Sequence, residues 1–357
     1  MKSIFFLLFP LTLAAQFKPV NYVNPLMGTD SKMELSNGNT YPAIGLPWGM
    51  NLWTPQTNVM GDGWAYQYSA DKLRGFKQTH QPSPWMNDYG QFALMPGSGK
   101  VVFNQDERAS WFSHKAETSK PHYYRVYLAD CDVTTQITPT ERAAVFRFTF
   151  PENDSSFIVI DALDRGSYVK VFPAERKIIG YTKRYARGKL TNFKNYFVIY
   201  LDHEIAFYRV ASNGKLTGKQ DQESTSDHSG AVVGFKTRKG ERVALKVASS
   251  FISFEQAELN LQREVGNQDF ETIRDQAEMR WNETLGKIEV SGGTEEQLRT
   301  FYSCLYRTLF FPNKLYELDA DGKAIHWSPY NGKILPGKMF GGTGFWDTFR
   351  ALYPLLN

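Results

Sequence analysis

The residues best suited to chemistry lie near the end of the chain, in the segment 345–357. Trp346, Asp347 and Arg350 stand there beside an apolar run, after the glycine-rich approach 341–344. An aromatic ring can cover the C–H face of a pyranose, and carboxylate or guanidinium groups can hydrogen-bond its hydroxyls. We therefore take Trp346 and Asp347 as candidate sugar-binding residues. The alternative is an exposed helix start with an ordinary core tryptophan.

A second candidate group lies in the segment 75–90. It presents His80, Trp85 and Asp88 within nine residues, on a loop that Pro82 and Pro84 stiffen. Imidazole, indole and carboxylate groups on a rigid loop suit the wall of a polyol pocket. The competing interpretations are a strand cap for His80, a core anchor for Trp85 and a simple turn for Asp88.

A third segment, 23–50, is dense in glycine and proline and contains Thr29. Glycine lets a ligand approach the main chain closely, so we take Thr29 as a further candidate for substrate binding. The alternative is a knot of turns packed under the main domain, and for Trp48 and Trp53 we favour that alternative.

The elements that position these residues are predicted to be mainly β. Between residues 21 and 252, short runs of aromatic and β-branched residues alternate with turn residues, and no βαβ rhythm is visible. Such a pattern over some 230 residues indicates a large antiparallel two-sheet β-sandwich.

Helical spacing replaces the strands after this point. It runs over 254–285 with a break at 266–268, and resumes at 294 with a capping-box pattern. A short strand is predicted at 287–290, and a loop or hairpin at 315–340. The last helix has apolar residues that need further partners, so we expect a helical domain that continues beyond Asn357.

The predicted division is therefore a signal peptide at 1–15, a sandwich domain at 16–253, a helical linker at 254–292 and the truncated start of a helical domain at 293–357. Lys2, the apolar run 4–13 and the small residues 14–15 are typical of a secretory signal. The run is too short to span a bilayer, and no other segment is long and apolar enough.

The net charge and the cysteine content limit which kinds of partner and metal site this chain is expected to have. A net charge of +4, with no block of Lys or Arg, makes nucleic acid an unfavoured partner. Two cysteines are present, and neither has metal-site spacing. We expect Cys131 and Cys304 to be buried free thiols, with a disulfide between them as the alternative.

The three segments together resemble glycoside hydrolase family 92, the calcium-dependent, exo-acting α-mannosidases. The matching stretches run in the family's order along nearly the whole chain: Asn24-Pro-Leu-Met-Gly-Thr29, Tyr41-Pro-Ala43, Pro47-Trp-Gly-Met50, Gly75-Phe-Lys-Gln-Thr-His80, Asp88-Tyr-Gly90, Leu94-Met-Pro96, Trp281-Asn-Glu283, Leu285-Gly-Lys-Ile288, Phe345-Trp-Asp-Thr-Phe-Arg350 and Pro354-Leu-Leu356.

The resemblance implies a β-sandwich, a helical linker and an (α/α)6 barrel, and hydrolysis of α-mannosides in mannose-containing glycans with inversion. It implies that the catalytic acid, the base and most calcium ligands lie beyond Asn357, so no catalytic residue and no metal ligand is named here. Many members carry His-Thr-His where this chain has Gln78-Thr-His80. The linkage is therefore open, with α-1,2 favoured.

Two rival functions follow from the residues alone. One is a non-catalytic carbohydrate-binding sandwich, and the other is a structural cell-surface sandwich without a ligand. Paired carboxylates and helical pairs encoded after Asn357 would favour the enzyme over both.

Overall fold

The computed structural model describes residues 17–30, 40–59, 65–80, 88–185, 190–218, 221–341 and 348–356. The predicted signal peptide, Trp85, Trp346 and Asp347 lie outside the described residues. Among the described helices, none is long and apolar enough to cross a membrane.

Antiparallel strands dominate the described chain as far as Ser250. In chain order they are β1 Leu52–Gln56, β2 Lys72–Leu73, β3 Gly75–Thr79, β4 Ala93–Ser98, β5 Ser110–Trp111, β6 Thr118–Lys120, β7 Tyr123–Leu128, β8 Val133–Pro139, β9 Ala143–Phe150, β10 Asn153–Asp161, β11 Ser167–Phe172, β12 Lys177–Thr182, β13 Asn195–Leu201, β14 Phe207–Ser212, β15 Lys215–Leu216, β16 Glu223–Ser226, β17 Gly230–Thr237 and β18 Glu241–Ser250, followed later by β19 Glu317–Leu318, β20 Ala324–Trp327 and β21 Ile334–Pro336.

Two large sheets form the sandwich. In the described ranges, one sheet has the order β1-β3-β4-β10-β17-β14-β15 and the other the order β16-β11-β12-β13-β18-β9-β8-β7-β6. The predicted large antiparallel sandwich is therefore confirmed. Two small sheets, β2-β5 and β19-β20-β21, lie at its margins.

Aromatic side chains join the two sheets. Trp53 of β1 is fully buried and meets Phe146 of β9 edge-on, with ring centroids 4.9 Å apart. Phe92, just before β4, stacks on Phe197 of β13 at 4.3 Å. Burying rings of this size contributes about 1.5–3 kcal/mol each, so these contacts hold the sheets face to face.

Helices follow the sandwich, as the sequence predicts: α1 Phe254–Glu264, α2 Phe270–Leu285, α3 Glu295–Thr308 and α4 Leu352–Leu356. Ser253 and Asp269 cap α1 and α2 by accepting hydrogen bonds from backbone N–H groups. Thr294 and Gln297 form the predicted capping box of α3. Each cap satisfies N–H groups that the first helical turn leaves without partners.

The helices and the sandwich share apolar cores. Leu261 of α1 and Ile273 of α2 pack on Val145 and Val198, on the outer face of the second sheet. Trp281 of α2 and Tyr306 of α3 belong to the same buried cluster as the sandwich interior. The start of the helical region is thus built onto the sandwich.

Two sequence-based expectations are wrong. No strand forms at 287–290, because the segment leaves α2 in a turn and Val290 donates its N–H to the hydroxyl of Tyr302. Cys304 is exposed, because α3 turns Tyr302 and Tyr306 inward instead. Cys131 is buried as expected, and both thiols are free.

His122 gives the fold a measurable pH dependence. Burial lowers its pKa from 6.5 to about 4. Between those values the unfolded chain binds more protons than the folded chain, so stability falls as the pH drops from about 6.5 to about 4. The loss attributable to His122 is about 3 kcal/mol, and it should be absent in His122→Gln when urea unfolding is measured across this range.

His203 provides a contrast to His122, because its contribution to stability depends on pH in the opposite direction. Burial would lower its pKa, but hydrogen bonds from its ring to Asp202 and Glu241 outweigh burial and raise the pKa. Its contribution therefore has the opposite sign and is lost as the pH rises through the folded pKa. A His122→Gln protein with the same pH profile as the parent would contradict this account.

Candidate functional site

His80 lies at the end of β3, fully buried. Its Nδ1 donates to the carbonyl oxygen of Tyr89 at 2.7 Å, and its ring stacks on the ring of Tyr89 at 5.1 Å. Nε2 lies 3.2 Å from Oδ1 of Asn51. Burial lowers the pKa of His80, which favours the neutral ring. Both ring nitrogens face oxygen atoms, and the shorter contact is the one from Nδ1 to the carbonyl of Tyr89. His80 therefore holds Tyr89 in place through this hydrogen bond and the stacking of the two rings.

Asp88 ties the two ends of the candidate loop together. Its Oδ1 accepts hydrogen bonds from the backbone N–H groups of His80, at 3.0 Å, and Tyr89, at 2.7 Å. Its Oδ2 is buried and has no hydrogen-bond partner among the described residues. A buried acceptor without a partner is costly, so this oxygen is suited to accept a bond from a ligand or from the loop 81–87.

A cavity of about 230 Å³ opens beside Tyr89. Its walls are mostly aromatic and come from both the sandwich and the C-terminal hairpin: Tyr89, Tyr185, Leu190, Phe193, Phe251, Phe311, Leu315, Trp327, Pro329, Met339 and Gly341. The indole N–H of Trp327 is buried without a partner among the described residues. Aromatic faces can cover the C–H face of a sugar ring, and the unsatisfied indole N–H can donate a hydrogen bond to one of its hydroxyls.

Two lining residues are near in sequence to candidate residues outside the described ranges. Gly341 lines the cavity, and its N–H donates to the carbonyl of Asn313 at 2.7 Å. Asp347 follows it by six residues in the sequence, and Trp85 precedes the lining residue Tyr89 by four.

Thr29 occupies a separate turn. Its hydroxyl donates to the carbonyl of Leu26 at 2.7 Å, and its own carbonyl accepts from the N–H of Tyr68 at 3.0 Å. Tyr41 connects the neighbourhood of Thr29 to β3, since its hydroxyl lies 3.3 Å from that of Thr79, next to His80. The link to the cavity is therefore indirect.

Arg307 of α3 fixes this turn from the helical side. Its guanidinium donates to the carbonyls of Tyr41 at 2.9 Å, Pro25 at 2.7 Å and Met27 at 3.1 Å. A guanidinium can satisfy several carbonyls at once because its donors form a rigid fork. Helix α3 thereby holds the loops on which Thr29 and Tyr41 lie.

A second cavity, of about 330 Å³, lies between the sandwich and α1–α2. Its charged groups are already paired: Arg142 bonds to Glu264 at 2.9 Å and also to the carbonyl of Tyr316. Paired charges at a domain junction indicate a structural connection, so we place the candidate site at the aromatic cavity.

This chain is similar to known proteins in both sequence and fold. The chain matches the glycosyl hydrolase family 92 N-terminal domain over residues 22–250 and the glycosyl hydrolase family 92 catalytic domain over residues 256–357. The chain belongs to glycosyl hydrolase family 92.

Solved family 92 structures share this fold. An inverting mannosidase from Bacteroides thetaiotaomicron is 44% identical, with a TM-score of 0.92, over 96% of this chain and 46% of its own. An α-mannosidase from the same organism, solved with mannoimidazole, is 27% identical, with a TM-score of 0.82, over 96% of this chain and 46% of its own.

Among curated proteins, a relative described as an uncharacterized secreted glycosidase, from Arthroderma benhamiae, is 23% identical over 84% of this chain and 42% of its own length. The family 92 chain described here therefore spans less than half of the relatives it matches.

Calcium is implied by the family resemblance, and the described residues do not fit it. Within the ranges given above, no group of three or more His, Cys, Asp or Glu could hold a metal ion. The segment 319–322, which has aspartates at 319 and 321, is a turn in which Oδ1 of Asp319 accepts the N–H groups of Asp321 and Lys323.

The sequence alone did not identify several residues that build this site. Tyr89, Phe251 and Trp327 are isolated aromatics in different segments, and no periodic pattern connects them. The only available signal was the match of Asp88-Tyr-Gly90 to the family. Arg307 could have been suspected as a cation in the last turn of α3, yet that position usually serves the helix dipole.

Gly90 offers a test of how tightly the loop is built. It has φ +65°, and an added Cβ would lie 2.9 Å from Cβ of Asn195 and 3.3 Å from Cε1 of His80. Gly90→Ala should therefore combine backbone strain with a clash and destabilise the protein by about 2–4 kcal/mol in urea unfolding.

Gly99→Ala is the matched control. Gly99 has φ +84°, but no atom lies within 4 Å of its added Cβ, so only the backbone cost of about 1–2 kcal/mol applies. Equal losses for the two variants would show that the loop around His80 is not tightly packed.

Proposed function

We propose that this chain is the N-terminal portion of a secreted glycosidase that releases terminal mannose from α-mannosides with inversion. The observation that carries the proposal is the 44% identity, over 96% of this chain, to a protein described as an inverting mannosidase. The mannoimidazole complex of a second relative supports a mannose-type substrate. The N-terminal sequence and the secreted fungal relative support export, to the periplasm or cell surface.

We propose that the terminal sugar binds at the aromatic cavity. Trp346 and Asp347 would approach from the rim at Gly341, and Trp85 from the loop closed by Asp88. His80 would act through Tyr89, whose ring it holds against the cavity. Thr29, in the turn that Arg307 fixes, would act on the cavity only indirectly, through the contact of Tyr41 with Thr79.

Inverting hydrolysis needs a carboxylic acid for the leaving oxygen and a carboxylate for the attacking water, about 6.5–9.5 Å apart. The buried acid beside the cavity, Glu317, does not suit either role: its oxygens accept from the N–H of Phe251 at 3.0 Å and the amide of Asn260 at 2.7 Å. Burial raises its pKa, but these bonds give it a structural role. We propose that the acid, the base and the calcium ligands follow Asn357.

The 357 residues alone should then show no α-mannosidase activity. Loss of one general acid or base costs about 10²–10⁴ in rate, and this chain would lack both. The protein extended by the rest of the catalytic domain should release mannose, and proton NMR should show the β anomer first. Mannose release by the 357-residue chain would contradict the placement of the acid and base.

Substitutions in the extended protein test the proposed cleft. Asp347→Ala would remove a charge-assisted hydrogen bond worth about 1.5–3 kcal/mol, which lowers kcat/KM about ten- to hundredfold. Trp85→Ala should mainly change the preference for the leaving group. Asp321→Ala, in an exposed turn, is the control and should leave kcat/KM unchanged. An Asp347→Ala enzyme with full kcat/KM would contradict a sugar contact at this position.

A further inference from the structure

Two aromatic rings stand exposed where the small sheet β2-β5 meets the end of β7 in the second sheet. Trp111 of β5 and Tyr127 of β7 are 47% and 38% exposed. The N–H of Ala129 donates to the carbonyl of Trp111 at 2.8 Å, which places Trp111 beside the end of β7. Tyr127 is two residues before Ala129, on the same exposed face of the strand.

Both residues make contacts that restrain them before any ligand binds. The backbone N–H of Trp111 donates to Oδ2 of Asp130 at 2.8 Å, and the ammonium of Lys72 lies 5.2 Å from the centre of the indole ring. The hydroxyl of Tyr127 donates to Oδ1 of Asp132 at 2.9 Å. Rings that are already fixed lose little conformational entropy on binding, so they suit a recognition surface.

Charged groups of both signs surround the two rings. Lys72 and the exposed Arg125 are positive, and Asp130 and Asp132 are negative. An array with no dominant sign does not attract a charged polymer, but it offers donors and acceptors to a neutral polyhydroxylated one. Exposed aromatic faces supply the apolar half of such recognition, because a pyranose has a C–H face.

A series of ring contacts links this surface to the turn of Thr29. Phe112, next to Trp111, meets the ring of His114 edge-on at 5.2 Å, and His114 stacks on Tyr68 with centroids 3.9 Å apart. Tyr68 is 37% exposed, and its N–H donates to the carbonyl of Thr29. The exposed rings are thus connected to the turn of Thr29.

We propose that Trp111 and Tyr127 form a second glycan-binding surface, separate from the cleft, which holds a mannose-rich polysaccharide while its end is processed. The mannose class rests on the proposed function. The surface itself rests on the two fixed rings and their mixed-charge surroundings.

Native gel electrophoresis of the 357-residue chain, with soluble α-mannan cast in the gel, tests this surface. The mannan should retard the parent chain. Trp111→Ala and Tyr127→Ala should each weaken the apparent affinity about three- to tenfold, and Trp111→Phe less. Tyr330→Ala is the matched control: Tyr330 is 95% exposed but lies in the distant hairpin, so its loss should change nothing. Circular dichroism would confirm that each variant is folded.

The outcomes separate this inference from the proposed activity. In the extended enzyme, Trp111→Ala should still hydrolyse a small aryl α-mannoside at the parent rate. Active enzyme whose binding to mannan is insensitive to Trp111 and Tyr127 would overturn the surface and leave the function intact. Retardation by xylan or β-glucan in place of mannan would overturn the mannose class. A parent dimer that Trp111→Ala converts to a monomer would make this a self-association surface and overturn the proposal.

Discussion

The arrangement of the molecule depends on hydrogen bonds that α2 and α3 donate to the segment 43–45. Trp281 of α2 donates its indole N–H to the carbonyl of Gly45 at 2.7 Å, and the hydroxyl of Tyr306 in α3 donates to the carbonyl of Ala43. The next residue, Ile44, exchanges backbone hydrogen bonds with Trp53 of the sandwich. The segment therefore has helix donors on one side and the sheet on the other. Buried carbonyls without partners would be costly, so neither side can separate freely.

These contacts explain why a cavity can form between the sandwich and the hairpin that follows α3. The hairpin after α3 is fixed to the sandwich by a second set of contacts, in which Arg142 bonds to Glu264 and to the carbonyl of Tyr316, and Lys314 pairs with Glu141. With both ends of the junction held, Trp327 of the hairpin can lie against Phe193 of the sandwich at 5.3 Å. The cavity walls then have a fixed separation, which is what a site for one small ring requires.

The sequence predicted those parts of the structure that depend on local signals. The strand-like runs between residues 21 and 252 and the Thr294 capping box needed no knowledge of distant residues, and both appear where predicted. The face of α3 depends on what packs against it, so the expectation that Cys304 is buried failed. The neighbours of His80 could not be predicted either. Asn51 and Tyr89 reach its ring from other segments, and only the folded sheets bring them together.

The central claim is that the aromatic cavity between Tyr89 and Trp327 receives the terminal sugar. A crystal structure of the extended protein with mannoimidazole tests it most directly, because a relative has been solved with that ligand. The account predicts the ligand in this cavity, with Asp347 within hydrogen-bonding distance of its hydroxyls and Trp85 on the facing wall. Mannoimidazole bound elsewhere, with Asp347 and Trp85 on opposite faces of the molecule, would contradict it.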